Sequence, residues 1–303
     1  MSNDLAEIGR QWDRKIVPVL QQQSMGRKLV PKNMELSGKG IGNTSVQNYG
    51  YKDTASAITD FNIRHDIADT IDVGGQKILI PIQQDMITIP RRTFEEMKLG
   101  GYAVDSDMAM QMAAKLSSEL DTTLIDGWKP DGTNYKVKGF YQAAGNSTAG
   151  SDFGTYGNAI KSVAAAIELF DTDKIRSDAG FNLVLAGTQY YQLLSSESSS
   201  GIAELPKVID MLNLNTGGRA GTVMMSPDLA AGTGFMSPTA TPGNIIYFDL
   251  IEALQPTNYL TYTNADPTNG DIILRQQGAA TIRFKHMDSS SLTDPAVCKF
   301  TAI

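Results

Sequence analysis

Apolar residues between Asp105 and Gly127 fall every three or four positions, as Ala109, Ala113, Leu116, Leu120 and Leu124. That spacing lines one face of an α-helix. Asp105, Ser106 and Asp107 supply N-cap oxygens and negative charge at its start, and Asp126-Gly127 ends it. A helix over about 105–126 follows, roughly 27 to 30 Å long at the α-helical rise. The same period predicts a helix over 158–170, with Ile160, Val163, Ala164, Ile167 and Phe170 on one face. Shorter helices are expected over 93–99, stopped by Gly100-Gly101, over 188–194, and over 205–212, opened near Pro206. Near the start of the chain Leu5, Ile8, Trp12 and Ile16 mark an amphipathic helix over 3–22, interrupted near its end by Pro18. Pro31, Gly38, Gly40 and Gly42 turn the following stretch into an extended arm. Trp12 and the apolar spacing would be wasted on solvent, so the arm is expected to pack on a neighbouring subunit through Trp12 and Ile16.

Other stretches carry a period of two. Phe61, Ile63, His65 and Ile67, then Ile71 and Val73, precede the turn Gly74-Gly75, after which Ile78, Ile80 and Ile82 repeat the pattern. A two-stranded ribbon of this kind is marginal unless its apolar face rests on something else. Phe61, Ile63, Ile67 and Ile71 are therefore candidates for contact with another chain. Pro81 and Pro90 bracket an apolar strand over 82–89, and 181–186 reads as a buried strand. Strands over 222–225 and 245–248 are separated by a Gly-, Ala-, Thr- and Pro-rich loop, and 272–274, 281–286 and 296–301 are strand-like again. No fixed-period repeat and no regular alternation of strand and helix runs through the chain, so the class is α+β.

Charge and composition narrow the chemistry. The 26 Lys and Arg residues against 33 Asp and Glu give a net charge of −7, the wrong sign for a protein whose task is to grip nucleic acid. Cys298 stands alone, so an intramolecular disulfide is excluded and a reducing compartment is expected. No export signal and no apolar run long enough to cross a membrane is present. His65 and His286 are the only histidines, too few with one Cys for a structural zinc site. No Gly-x-Ser-x-Gly elbow or P-loop occurs, and Gly38-Lys-Gly-Ile-Gly42 lacks the strand and the third glycine of a dinucleotide site. Asp171-Thr-Asp173 with Asp178 lacks the terminal Glu of a calcium loop and reads as a helix-ending turn. No catalytic, cofactor-binding or metal-ligating residue is assigned, and no cofactor is expected. The acidic residues Glu95, Glu96, Asp105, Asp107, Glu119, Asp121 and Asp126 leave one alternative of another class, a hydrolase using a carboxylate pair such as Glu119 and Asp121.

The stretch Ile80-Pro-Ile-Gln-Gln-Asp-Met-Ile-Thr-Ile-Pro-Arg-Arg-Thr-Phe-Glu-Glu-Met-Lys-Leu-Gly100 resembles a passage of encapsulin shell proteins. There an apolar strand leads to a Phe- or Arg-containing turn, an acidic short helix and a Gly, followed by a long helix. Residues 105–127 are similar to that family's spine helix, whose ending is echoed by Leu124-Ile-Asp-Gly127, with Lys138-Gly139-Phe140 in the place of its downstream Gly motif. Ile245-Ile-Tyr-Phe-Asp249 and Ala280-Ala-Thr-Ile-Arg-Phe-Lys285 resemble the strands that return from the apical to the peripheral domain. The order of elements matches over most of the chain after Tyr49, and the specific part covers roughly 78–140.

The resemblance implies the Hong Kong 97-like capsid fold of tailed double-stranded DNA viruses. Its parts would be an N-terminal arm (1–48), an extended β-hairpin loop (49–79), a peripheral domain with the spine helix (80–149), an apical domain (150–250) and return strands of the peripheral domain (251–303). It adds Arg91 and Arg92, in the turn before the short helix, to the interface candidates. The implied function is that of a major capsid protein, self-assembling through pentamers and hexamers into an icosahedral shell around a double-stranded DNA genome. Its implied location is the virion capsid, assembled in the host cytoplasm. The DNA would be packaged without sequence-specific binding, and portal, scaffolding or decoration proteins are the further partners; no membrane is involved. An encapsulin compartment around cargo enzymes is the alternative within the family. The long arm, the chain length and an acidic interior that keeps DNA from sticking favour the virus.

Overall fold

The computed structural model describes residues 25–37, 45–51, 73–99, 106–175, 180–213, 221–239, 247–255, 260–261, 272–285 and 293–303. The expected helix over 3–22 and most of the apolar ribbon lie outside them. In chain order come two single-turn helices, α1 (Gly26–Leu29) and α2 (Met34–Ser37), then β1 (Ser45–Tyr51), β2 (Val73–Leu79) and β3 (Ile82–Ile89). Next are α3 (Arg91–Leu99), the long helix α4 (Ser106–Ile125), the small hairpin of β4 (Gly127–Trp128) and β5 (Val137–Lys138), and α5 (Phe140–Ala143). The middle of the chain forms β6 (Ala144–Ala149), α6 (Asn158–Thr172), β7 (Phe181–Ala186), α7 (Gly187–Ser195) and α8 (Leu205–Leu212). The remainder is β8 (Val223–Ser226), β9 (Thr233–Pro238), β10 (Phe248–Gln255), β11 (Leu260–Thr261), β12 (Ile272–Phe284) and β13 (Asp294–Thr301).

The chain divides into two compact units. The first takes residues 1–44, 79–139 and 250–282, and the second 45–78, 140–249 and 283–303.

In the first unit β12 pairs antiparallel with β3, in register from Ile272 opposite Ile89 to Ala279 opposite Ile82. Among the described residues β10 and β11 complete this sheet on β12. Successive strand side chains face opposite ways. On β3 that leaves Ile82, Gln84, Met86 and Thr88 exposed, while Gln83 turns the other way and donates a 2.8 Å hydrogen bond to Thr123 of α4. Ala113, Leu116, Leu120 and Leu124 of α4 are buried, as their spacing predicts, but so are Met112, Ser117, Asp121 and Thr123. After α4 the chain reverses through Gly127, whose φ of +118° favours glycine. A Cβ there would also lie 2.5 Å from the Val137 carbonyl oxygen.

In the second unit, among the described residues, the strand order is β6-β13-β9-β7-β8. The β13–β6 and β7–β8 pairs are parallel, and β9 runs antiparallel to both β13 and β7. Phe140 stacks on Phe235 at 5.2 Å and meets Phe248 edge-on at 5.1 Å, while Phe170 stacks on Phe181 at 5.2 Å. A fully buried carboxylate lies beside this core. Glu204 Oε1 accepts the amides of Gly157 (3.0 Å) and Ile160 (3.1 Å) at the start of α6, and Oε2 accepts the Ser196 hydroxyl at 2.7 Å.

Several expectations shift. The expected loop between the strands at 222–225 and 245–248 contains β9, and β6 was not anticipated at all. Gly234, Ser237 and Pro238 hide β9 from a propensity reading, and pairing on both edges makes it a strand. The described parts of the expected strands 272–274 and 281–286 belong to one strand, β12; of the strand expected over 245–248, residues 245 and 246 lie outside the described residues and β10 begins at Phe248. β13 lies in the second unit's sheet between β6 and β9. Asp171-Thr-Asp173 does end a helix, with Asp173 at the C-cap of α6.

Removing the Glu204 carboxylate would strand one buried and two half-buried donors, so Glu204→Ala should cost about 2 to 3 kcal/mol in denaturant unfolding, and Glu204→Gln distinctly less. Burial pushes the Cys298 thiol up from its ordinary value near 9 to about 11. A folded value above the unfolded one means that its stabilisation is full below pH 9 and is lost as pH rises through about 11. The native protein should also stay silent to a thiol reagent at about pH 8 and react on unfolding, which absorbance of the released reagent would show.

Candidate assembly surfaces

Residues 25–37 form a strap on the first unit, fastened at three points. At its start the Asp121 carboxylate on α4 accepts the amide of Met25 through Oδ2 (2.8 Å) and that of Gly26 through Oδ1 (3.1 Å). The strap approaches α4 so closely that a Cβ on Gly26 would stand 2.6 Å from Leu124 Cδ1. Further along, Glu252 of β10 is paired with Arg27, and Lys32 Nζ lies 3.5 Å from its other oxygen. The Arg27 and Glu252 side chains are both largely buried, where a pair survives only with close mutual geometry. At its end the strap joins the edge of β10 as a parallel bridge, Lys32 beside Leu250. Leu250 donates to the Pro31 carbonyl and accepts from the Asn33 amide, at 3.0 and 2.9 Å. Asn33 Oδ1 then accepts the amides of Glu35 and Leu36, both at 3.1 Å, and caps α2.

Strands β1 and β2 make a two-stranded sheet of their own among the described residues. Apolar exposure is spread over both units. In the first, Ile82 and Met86 (54% exposed) stand on the open face of β3, and Leu99 at the end of α3 is 88% exposed. In the second, Tyr191 (62% exposed) and Leu194 on α7 and Ile202 in the loop before α8 face solvent. Leu193 on the same helix is fully buried.

Of the residues singled out from the sequence, Trp12, Ile16, Phe61, Ile63, Ile67 and Ile71 lie outside the described residues, as do His65 and His286. Arg91 and Arg92 open α3 on the surface, and the Arg92 side chain is 90% exposed with Glu96 as its partner at 3.1 Å. A pair so exposed contributes little to stability, which leaves Arg92 available to a partner. Glu119 and Asp121, the carboxylates of the hydrolase alternative, do not share a cleft. Glu119 is exposed, whereas Asp121 is buried against the strap amides. Among the described residues no group of three or more His, Cys, Asp or Glu could hold a metal ion, and no helix is long and apolar enough to cross a membrane.

The strap contacts escaped the sequence reading. Asp121 carried one signal, an acid three residues before Leu124 on the apolar side of a helix. The pairing of Arg27 with Glu252 spans 225 residues of sequence and carried none.

No family model and no curated protein matches the sequence. Solved structures do match. The chain superimposes on a subunit of a virus-like particle from Pyrococcus furiosus with a TM-score of 0.60 at 14% identity, covering 97% of this chain and 98% of that one. On the capsid of Myoviridae phage XM1 the TM-score is 0.63 at 11% identity, over 92% and 91% of the two chains. A Mycobacterium phage Che8 chain gives 0.58 at 15% identity over 92% and 91%. The fold is therefore the α+β Hong Kong 97 type expected from the 78–140 passage.

The close approach at Gly26 yields a test of the strap. Gly26→Leu should lift the strap from α4, costing about 1 to 3 kcal/mol of stability. Hydrogen exchange at the Asn33 and Leu250 amides should accelerate at least about tenfold, while exchange within the β7–β9 pairing of the second unit stays unchanged.

Proposed function

We propose that this chain is a major capsid protein, which assembles through pentamers and hexamers into an icosahedral shell enclosing a double-stranded DNA viral genome. The observation that carries the reading is a fold shared over more than nine-tenths of the length with phage capsid and virus-like particle subunits. A two-stranded ribbon supports it, since such a ribbon is marginal alone and gains stability by lying on another chain. So do the apolar side chains left in solvent on both units. In this reading Trp12 and Ile16 of the arm, Phe61, Ile63, Ile67 and Ile71 of the ribbon, and Arg91 and Arg92 at the start of α3 contact neighbouring copies. The packaged DNA is held without sequence-specific contacts, consistent with the net charge of −7. Portal, scaffolding or decoration proteins complete a particle assembled in the host cytoplasm. The second reading is a compartment shell around cargo enzymes, favoured by the match to the Pyrococcus furiosus particle over 97% of this chain. The shell itself is common to both readings, and the contents distinguish them.

Electron microscopy and light scattering of the chain expressed alone are expected to show closed particles, tubes, or separate pentamers and hexamers. A monomer or dimer that stays small across salt and concentration would remove the shell reading. Arg92→Glu should leave the free energy of unfolding within about 0.5 kcal/mol of the parent, because the Arg92–Glu96 pair is exposed. The same variant is expected to lose most of its particle yield.

A further inference from the structure

The layer between α4 and the sheet of the first unit is lined by Ala113, Leu116, Leu120 and Leu124, yet it holds polar side chains as well. Two of these have no hydrogen-bond partner among the described residues. Gln276 of β12 is 4% exposed, and its Nε2 and Oε1 are both buried and unpartnered. Ser117 of α4 is buried with its Oγ in the same condition.

Strand register and helical period put the two in one layer. In the antiparallel β12–β3 pair Gln276 stands opposite Asp85, and Gly278 opposite Gln83. Residues opposite each other, and residues two apart along a strand, share a face. Gln83 bonds Thr123 of α4, so the face that carries Gln276 is the one that α4 covers. On the helix, Thr123 points to β3 and Asp121 to the strap, which lies on the edge of β10. At about 100° per residue these directions are about 160° apart, and Ser117 falls inside the arc, about 40° from Asp121. Because β12 pairs with both β3 and β10, that arc is turned toward it.

Burying an amide or a hydroxyl without a partner costs free energy, and nearly all such groups in native proteins are met by protein or by water. An internal water makes about three hydrogen bonds to buried polar atoms that the protein leaves over. The layer offers Gln276 Nε2 as a donor, Gln276 Oε1 as an acceptor and Ser117 Oγ as either. Half-buried Asp85, opposite Gln276 on the same face, adds a carboxylate. We propose that a water-binding site lies between α4 and β12, in which at least one ordered water joins the Gln276 amide to the Ser117 hydroxyl. The long helix and the strand beneath it are then linked at this point through an exchangeable molecule as well as through apolar contact. The site belongs to the fold of the first unit and stands apart from what a shell would enclose.

Two measurements on the full chain test it. A density map at about 2 Å resolution, of the free chain or of a particle, is expected to show a peak about 2.7 to 3.2 Å from both the Gln276 amide and Ser117 Oγ. A dry layer, with the two side chains bonded to each other or to other protein groups, would overturn the site. The second measurement is a double-mutant cycle in denaturant unfolding with Gln276→Met, Ser117→Ala and the two combined. Side chains that share a water are coupled, so the combined change in the unfolding constant should be at least about threefold smaller than the product of the single changes. Strictly multiplicative changes would overturn the shared water. So would a Gln276→Met variant at least about tenfold more stable than the parent, the mark of an amide that had no partner of any kind. If either variant fails to fold, the map decides alone.

Discussion

A carboxylate taken out of water has to be met by donors, and in this protein buried acids meet donors from distant stretches of chain. Asp121 accepts two amides of the strap, Glu204 accepts two amides at the start of α6 and a serine hydroxyl, and Glu252 is paired with Arg27. The cost of leaving such a group unmatched exceeds what the matched group contributes, so each acid makes one arrangement much better than its neighbours in conformational space. Apolar packing supplies most of the driving force in both units. The acids fix where the strap and the start of α6 attach.

How much of this could be read beforehand depended on where the information lay. The long helix was legible because Ala113, Leu116, Leu120 and Leu124 repeat at its own period, and α6, α7, α8, β3 and β7 were legible for the same kind of reason. The strand β9 was not, because Gly234, Ser237 and Pro238 individually disfavour a strand and only its two neighbours in the sheet overrule them. Residues 144–149, Ala-Gly-Asn-Ser-Thr-Ala, look like a loop for the same reason, yet they pair with β13. The fold family was within reach because the order of elements around the long helix is itself a pattern. The anchoring of the strap was out of reach, since nothing near Arg27 in the sequence points to Glu252.

The surfaces carry a different kind of information. An apolar residue in solvent is ordinary, but here exposed apolar positions occur beside well-packed ones on the same short elements, as with Leu194 next to the fully buried Leu193. Met86 stands in the same way on a strand whose alternate side chain, Gln83, is tied to the long helix. These elements are positioned firmly by their inner faces while their outer faces remain unused. Such a combination lowers the cost of any contact made there, because a surface that had to order itself at the moment of joining would add its own entropy to the cost of association.

The place of β13 in the second unit bears on the order in which the molecule can be made. This strand lies between β6 and β9, so β6 stays apart from the rest of the sheet until residues 294–301 have left the ribosome. β6, which begins at Ala144, and β9, which begins at Thr233, wait for the same late arrival. A polypeptide released early would keep β6 and β9 without their common neighbour and would present open strand edges to the quality-control machinery of the cell. A nascent chain can therefore close this sheet only once translation has passed residues 294–301, which makes the second unit late to mature.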